Sequence, residues 1–514
     1  MESDRSDIWL SQTDVPDAKS AIFIGEINDE IIKNEMHNFP TGILIISLLN
    51  ISDLLNKYQN LFFEKANQNI SDLKESVEQF LRLDQDNSPI VKCSHLTNSD
   101  EAKKYLDALD LVIGVIDSTL RVRKTRKETG FLRQSHVIKN LANYLNNRIP
   151  DEWKNLASGS IAVVVGAGPS LDCTLNLLKS LDKPLIISTD SGLRSLQKLG
   201  IKPNFVLSID PEKTFESCCD AGFTKGTLIL STQSNPSWSD NWNNSVRFIS
   251  GRVISEDWLA EKGVGKTSVL AENNVGLSAI SFANFLSPSL IILVGMDLSG
   301  GGQGEIRYAK ITGREQIVTN ASVNHEIPGN FSETVLTPFL SDWQETSQTC
   351  QKISSIRPII NLNDRGAKLE GTNIIHPDDF NNIKDTLNEN FSPFPIQPLD
   401  LNLSRSINQF GKTQLAIKLT RICDLVWKTI HNRNKSNPSI DLKILLSDKE
   451  IASVLGDYTF SVFSILLSKK KIEHQTIELA YSQLEQLIWQ LEDSILDMNP
   501  SEDFITAFLL GKVN

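Results

Sequence analysis

Four apolar runs of this chain end abruptly in residues that can do chemistry. "IAVVV" runs into Gly166-Ala167-Gly168-Pro169-Ser170, "PLIIS" into Thr189-Asp190-Ser191, "FVLSI" into Asp210-Pro211, and "LIILV" into Gly295-Met296-Asp297. Ligands of open α/β sheets bind outside the carboxyl ends of the strands, so these aspartates and hydroxyls are expected to converge on one cleft. Gly166 and Gly168 let the backbone turn tightly and approach a ligand. A helix beginning near Ser170 would point unpaired N–H groups and its positive end at a phosphate. Gly166, Gly168, Pro169, Ser170, Asp190 and Ser191 are therefore the expected nucleotide-binding set, with Asp190 placed to take ribose hydroxyls.

Two other readings of these glycines compete. A dinucleotide fingerprint needs a third glycine where Leu171 stands, although Asp190 lies at a suitable distance for a ribose contact. A turn that holds no ligand is the plainer alternative, and Asp190 and Asp210 could equally cap the turns that follow them. "GVGKTS" (263–268) resembles the end of a phosphate-binding loop, but Ala260 occupies the position that needs glycine and no apolar strand precedes it. It reads as an exposed loop near the cleft.

The elements that would position these residues follow from periodicity. Between about 158 and 300, "IAVVV", "PLIIS", "FVLSI", "TLILS", "VRFIS" and "LIILV" are strand-like, and the first three are separated by short helices. Alternating strands and helices imply a parallel sheet covered on both faces, the doubly wound, Rossmann-like α/β architecture. Residues 1–150 form a smaller α/β and helical module. There "AIFIGEI" and "GILIISL" read as strands, while "SDLLNKYQNLFF", "SDLKESVEQFLRL" and "SDEAKKYLDALDLVIGVIDSTL" have helical spacing. A Gly-rich loop, "SGGGQGEI", and a helix around "PFLSDWQETSQTCQKI" complete a central domain of 151–385. The prolines of "NENFSPFPIQPLD" mark a linker, and 386–514 reads as a helical C-terminal domain.

Composition excludes several classes of function. The 514 residues are 40% hydrophobic and 22% charged, with a net charge of -12. That balance opposes sequence-independent nucleic-acid binding, which needs clustered cations. "RVRKTRKETG" (121–130) dissents with five basic residues and is read as a solvated helix face. No run approaches the ~20 apolar residues of a membrane span. The acidic start "MESDRSDIWLSQTDV" lacks the basic and apolar regions of a signal peptide, so a cytoplasmic protein is expected. Six cysteines without a C-x-x-C pair and seven scattered histidines give no metal cluster.

Taken together, "GAGPSLD", "STDSGLRSLQKLGIKPNFVLSIDP", "ILVGMDLS", "IPGNFSETVLTPFLSDWQE" and "IINLNDRGAKLEG" resemble, in order and spacing, the motility-associated factor (Maf) flagellin glycosyltransferases. Their central domain also carries the name 6-hydroxymethylpterin diphosphokinase MptE-like. The resemblance covers about 160–375. It implies a sialyltransferase-like nucleotide-sugar fold and transfer of a nonulosonic acid of pseudaminic or legionaminic type from its CMP-activated form to Ser or Thr of flagellin. No metal cofactor is then required.

Breaking the donor's glycosidic bond builds oxocarbenium character that carboxylates can stabilise, and the acceptor hydroxyl needs a base. Asp210 and Asp297 are the candidates for those acidic roles. His325, in a segment that resembles the family's loop over the cleft, is a further candidate base. The chain departs from the family after "GMDLS", where an aromatic residue and a Thr-His pair give way to "SGGGQGEIRYAK". Two alternatives stay open: a pterin pyrophosphokinase using ATP and Mg²⁺, with Asp210 and Asp297 as metal ligands, or a non-catalytic binding relative. The flanking modules would hold the acceptor or build an oligomer.

Overall fold

The computed structural model describes residues 9–13, 15–83, 87–94, 99–220, 222–300, 306–314, 324–395, 403–433, 437–467 and 472–511. The chain divides into two compact units, Met1–Thr125 and Arg126–Asn514.

In the first unit, strands β1 (Trp9–Ser11), β2 (Ser20–Ile24), β3 (Gly42–Ser47), β4 (Leu61–Lys65) and β5 (Ile90–Ser94) form one sheet in the order β1-β5-β2-β3-β4. All pairs are parallel except β1 with β5. Ala21–Ile24 of β2 and Ile43–Ile46 of β3 are apolar because both faces of these strands are buried. The helical spacing of "SDLLNKYQNLFF" is realised only over Ser52–Leu55. Asn60 then turns the chain at φ 62°, and Leu61–Lys65 pairs with β3 instead, so edge pairing overrides the local pattern. Helix Ile70–Leu81 buries Leu73, Val77, Phe80 and Leu81 at helical spacing.

Helix Ser99–Asn146 carries the division between the units at Thr125/Arg126. The basic run lies on this helix, where Arg123 donates to the Leu81 carbonyl at 2.6 Å and Lys124 and Lys127 are exposed.

The second unit is built on strands β6 (Ile161–Val165), β7 (Leu185–Thr189), β8 (Phe205–Ser208), β9 (Thr227–Leu230), β10 (Val246–Phe248), β11 (Leu290–Val294), β14 (Ile359–Leu362) and β15 (Asn373–Ile375). Between β11 and β14 a separate antiparallel hairpin joins β12 (His325–Pro328) to β13 (Thr334–Thr337). The eight-stranded sheet is parallel throughout, in the order β10-β9-β8-β7-β6-β11-β14-β15. The six apolar runs are β6 to β11, and the doubly wound architecture is present.

Alternation along β6 assigns its two faces. Ala162 and Val164 pack with helix Val275–Leu286 through Ala279, Ile280 and Phe282. Ile161, Val163 and Val165 pack with Leu171, Leu175 and Leu196 on the other side. Each such fully buried aliphatic side chain contributes roughly 1.5–3 kcal/mol relative to exposure.

The C-terminal helices, read as a domain of their own, share a hydrophobic core with the sheet. Leu419, Leu484 and Leu487 lie in one cluster with Val206, Leu228 and Phe248. Helical periodicity marks the buried face of a helix but not what covers it.

Chain order fixes where a ligand can enter. The strands run outward from β6 to β10, and helix Val275–Leu286 then returns the chain to lay β11 on the opposite side of β6. The direction of progression therefore reverses between β6 and β11, and loops leaving the two strands must diverge there.

Candidate active site

The loops after β6 and β11 meet at this reversal. Gly166 N–H donates to Val294 O and Gly168 N–H to Gly295 O, both at 2.8 Å. Beyond them, Asp297 turns back so that its Oδ2 accepts from the Ser170 N–H at 3.1 Å and the Ser170 Oγ–H at 2.9 Å. Gly168 is glycine for this reason, because a Cβ there would stand 2.0 Å from Asp297 Oδ2. Gly366, at φ +84°, packs the loop after β14 against the backbone of Asp297.

Asp297 is 2% exposed, and its Oδ1 has no hydrogen-bond partner among the described residues. Burial pushes its carboxyl up to about 6, against the pull of the two Ser170 hydrogen bonds.

The expected helix after the glycine turn is one α-turn, Leu171–Thr174, followed by the 3₁₀ segment Leu175–Ser180. Its first N–H groups are taken up internally: Leu171 donates to Gly168 O, Asp172 to Pro169 O and Cys173 to Ser170 O. With Ser170 bonded to Asp297, the turn faces a carboxylate of the chain itself.

A second cluster stands after β7 and β8. Asp190 is fully buried, and its Oδ1 accepts from Ser191 N–H (2.6 Å), Ser191 Oγ–H (3.0 Å) and Lys213 Nζ (3.0 Å), while Oδ2 accepts from Ser208 Oγ–H (3.2 Å). Lys213 also lies 4.0 Å from Asp210, which is partly exposed. Burial works against the Lys213 ammonium, but the charges of Asp190 and Asp210 outweigh it and raise its pKa. Asp210 additionally caps its own turn by accepting from the Glu212 N–H at 2.9 Å. Sequence reasoning missed Lys213, whose signal is its place three residues after Asp210.

Between the β12–β13 hairpin and the loops after β6, β11 and β14 opens a cleft of about 840 Å³. Its walls include Pro169, Cys173, Tyr308, Lys310, Glu326 and Arg365. Arg365 pairs with Asp364, and its guanidinium holds the Asp364 carboxyl below the usual range. Asn330 ties the hairpin turn to the β14 loop, donating through Nδ2 to Asn363 Oδ1, Arg365 O and Ala367 O at 2.9 to 3.1 Å.

The structure thus groups Gly166, Gly168, Ser170 and Asp297 in one set, and Asp190, Ser191 and Asp210 in another. Arg314 connects the second set to the cleft wall: it donates to Ser191 Oγ at 3.3 Å and stacks 4.9 Å from the ring of Tyr308. His325 pairs with Thr337 at the base of the hairpin and is not one of the cleft-lining residues. In the phosphate-loop lookalike, Lys266 donates to Gly251 O and pairs with Asp257. Among the described residues, no three His, Cys, Asp or Glu side chains converge as a metal site would require.

Residues 135–302 match the family model described as 6-hydroxymethylpterin diphosphokinase MptE-like. No significant match was found among curated proteins. Among solved structures, the chain is similar to the MAf glycosyltransferase from Magnetospirillum magneticum AMB-1, with 15% identity and a TM-score of 0.44 over 98% of this chain and 84% of that one. Strands β6 to β11 and both partners of the Ser170–Asp297 contact fall inside 135–302, the part of the chain that is similar to the MptE-like family.

Proposed function

We propose that the Arg126–Asn514 unit is a protein O-glycosyltransferase that moves a nonulosonic acid from a CMP-activated donor to Ser or Thr of flagellin in the cytoplasm. One observation carries this reading. Four of the five segments that resemble the Maf glycosyltransferases, scattered over about two hundred residues, contribute walls to the same cleft: Pro169, Ser299, Thr334 and Arg365 come one from each. The fifth segment reaches the cleft through Ser191, Arg314 and Tyr308. The volume suits a nucleotide-sugar.

In this reading the glycine turn Gly166–Ser170 forms the wall beside the nucleotide, and Asp190 acts by fixing Lys213 and Ser191. The bond between the sugar's anomeric carbon and the CMP phosphate oxygen breaks, and CMP leaves with the electron pair. The acceptor hydroxyl attacks the oxocarbenium-like carbon and gives its proton to a base. Asp210, the partly exposed carboxylate beside Lys213, and His325, at the base of the hairpin, are the proposed groups for that step. Asp297 acts through Ser170, to which it is bonded. No divalent metal is required.

A second reading is favoured by the description of the matched family, that of a pterin pyrophosphokinase. It requires ATP with Mg²⁺, and Asp210 and Asp297 would hold the ion. Calorimetric titration with CMP in EDTA, and separately with ATP and Mg²⁺, distinguishes the two. CMP binding that survives EDTA, followed by a mass increase of flagellin on incubation with a CMP-nonulosonate, is the expected result. Binding of ATP with Mg²⁺ alone would overturn the transferase reading.

A further inference from the structure

The segment from Arg307 to Arg314 crosses directly over the glycine turn and is fastened to it. Ala309 N–H donates to Ala167 O at 2.9 Å, and the N–H groups of Lys310 and Ile311 both bond the Asp172 carboxylate at 2.9 Å. This strap carries three cations in eight residues. A fourth, Lys198, brings its Nζ within 3.8 Å of where a Cβ on Gly313 would lie.

Neighbouring cations are neutralised: Lys213 by Asp190, Arg365 by Asp364 and Arg194 by Asp220. Arg307, Lys310 and Arg314 form no ion pair with any described carboxylate. Arg307 and Arg314 instead both lie against Tyr308, with their guanidinium carbons 5.0 and 4.9 Å from its ring centroid. Arg307 also lies 4.5 Å from the ring of Phe339. Ring faces hold cations only weakly, and two like charges around one largely buried ring repel each other. Such a cluster of cations, in a chain of net charge -12, is suited to attract an anion.

We infer that Arg307, Lys310 and Arg314 form an anion-binding strap for a ligand with two separated negative charges, one on each side of Tyr308. Lys310 lines the cleft, while Arg314 reaches the Ser191 side. Since the Gly166, Gly168 and Ser170 N–H groups of the glycine turn are taken by Val294 O, Gly295 O and Asp297 Oδ2, charge recognition falls to the cationic side chains of the strap. The identity of the ligand rests on the transferase reading, because a CMP-nonulosonate carries a phosphodiester and a carboxylate. The strap itself requires only a dianion.

The test titrates the full chain with CMP-N-acetylneuraminate, CMP and inorganic pyrophosphate, for the wild type, Lys310→Gln, Arg314→Gln and the double variant. Lys225→Gln, an exposed lysine elsewhere on the unit, controls for net charge, and Arg314→Lys keeps the charge in place. Each single strap substitution should weaken CMP-N-acetylneuraminate, by about tenfold for a lost charge-assisted contact, and the double variant should weaken all three ligands and flatten the salt dependence. Lys225→Gln should bind as the wild type does, and Arg314→Lys should recover most of the loss.

Equal pyrophosphate affinity of the wild type and the double variant, or no binding of any ligand by the wild type, would overturn the strap. Pyrophosphate binding that depends on the strap, without binding of either CMP ligand, would sustain the strap and remove the transferase reading.

Discussion

Asp297 Oδ2 occupies the space beside Gly168 that any other residue's Cβ would need, and it is bonded twice to Ser170 across 127 residues of sequence. Gly168→Ala should therefore destabilise the unit by about 2 kcal/mol or more through overpacking. Asp297→Ala removes the obstructing carboxylate. In a double-mutant cycle read by urea unfolding, the pair should cost less than the sum of the two single changes. Strict additivity would mean that the turn moves away from Asp297 at no cost.

The same carboxylate makes stability depend on pH. Its folded pKa, about 6, lies above the ~3.9 of an unfolded aspartate, so the folded chain holds the proton more tightly. The stabilisation from that proton is full below about pH 4 and is lost as pH rises through 6, a change of about 3 kcal/mol at most. Asp297→Asn stays neutral throughout. Its melting temperature relative to the wild type should rise between pH 4.5 and pH 8, and a difference that stays flat would place the ionisation elsewhere.

This contact also shows what the sequence reveals and what it withholds. Strands β6 to β9 and β11 are legible because parallel strands buried on both faces are runs of apolar residues, and their ends name Ser170, Asp190, Asp210 and Asp297 as polar groups at one edge of the sheet. Which of them meet is decided by strand order. The placement of β11 beside β6 rather than β10 joins Asp297 to Ser170 and leaves Asp190 and Asp210 with Lys213. β14 escapes notice because Asn361 interrupts its four residues, and the hairpin because His325, Glu326 and Thr334 make its strands polar. The strap is invisible in sequence because its cations matter only once the chain has folded over Ala167 and Asp172.

Among the described residues, Lys213 supplies the cation that contacts the buried Asp190 carboxylate. Lys213→Met would leave that charge in a low-dielectric site with only hydroxyl and amide donors, and should cost about 3–5 kcal/mol in urea unfolding. Adding Asp190→Asn removes the stranded charge and should restore a large part of the loss. A double variant as unstable as the sum of its single changes would mean that Lys213 acts through packing rather than charge.

The shared core makes a claim about cooperativity. Leu484, on helix His474–Asp497, is fully buried in the cluster that also holds Phe248 of β10 and Val206 of β8. Leu484→Ala should cost about 2–5 kcal/mol from lost burial and the cavity left behind. If the C-terminal helices and the sheet unfold as one body, calorimetry will show the Arg126–Asn514 unit melting in a single transition that moves down as a whole. A C-terminal bundle stable on its own would instead give two transitions, with the substitution lowering only one. The membership of Leu419, Leu484 and Leu487 in one cluster with Leu228 and Phe248, which Leu145, Phe215 and Trp258 also join, favours the single transition, because removing the helices would expose apolar side chains of the core they share with the sheet.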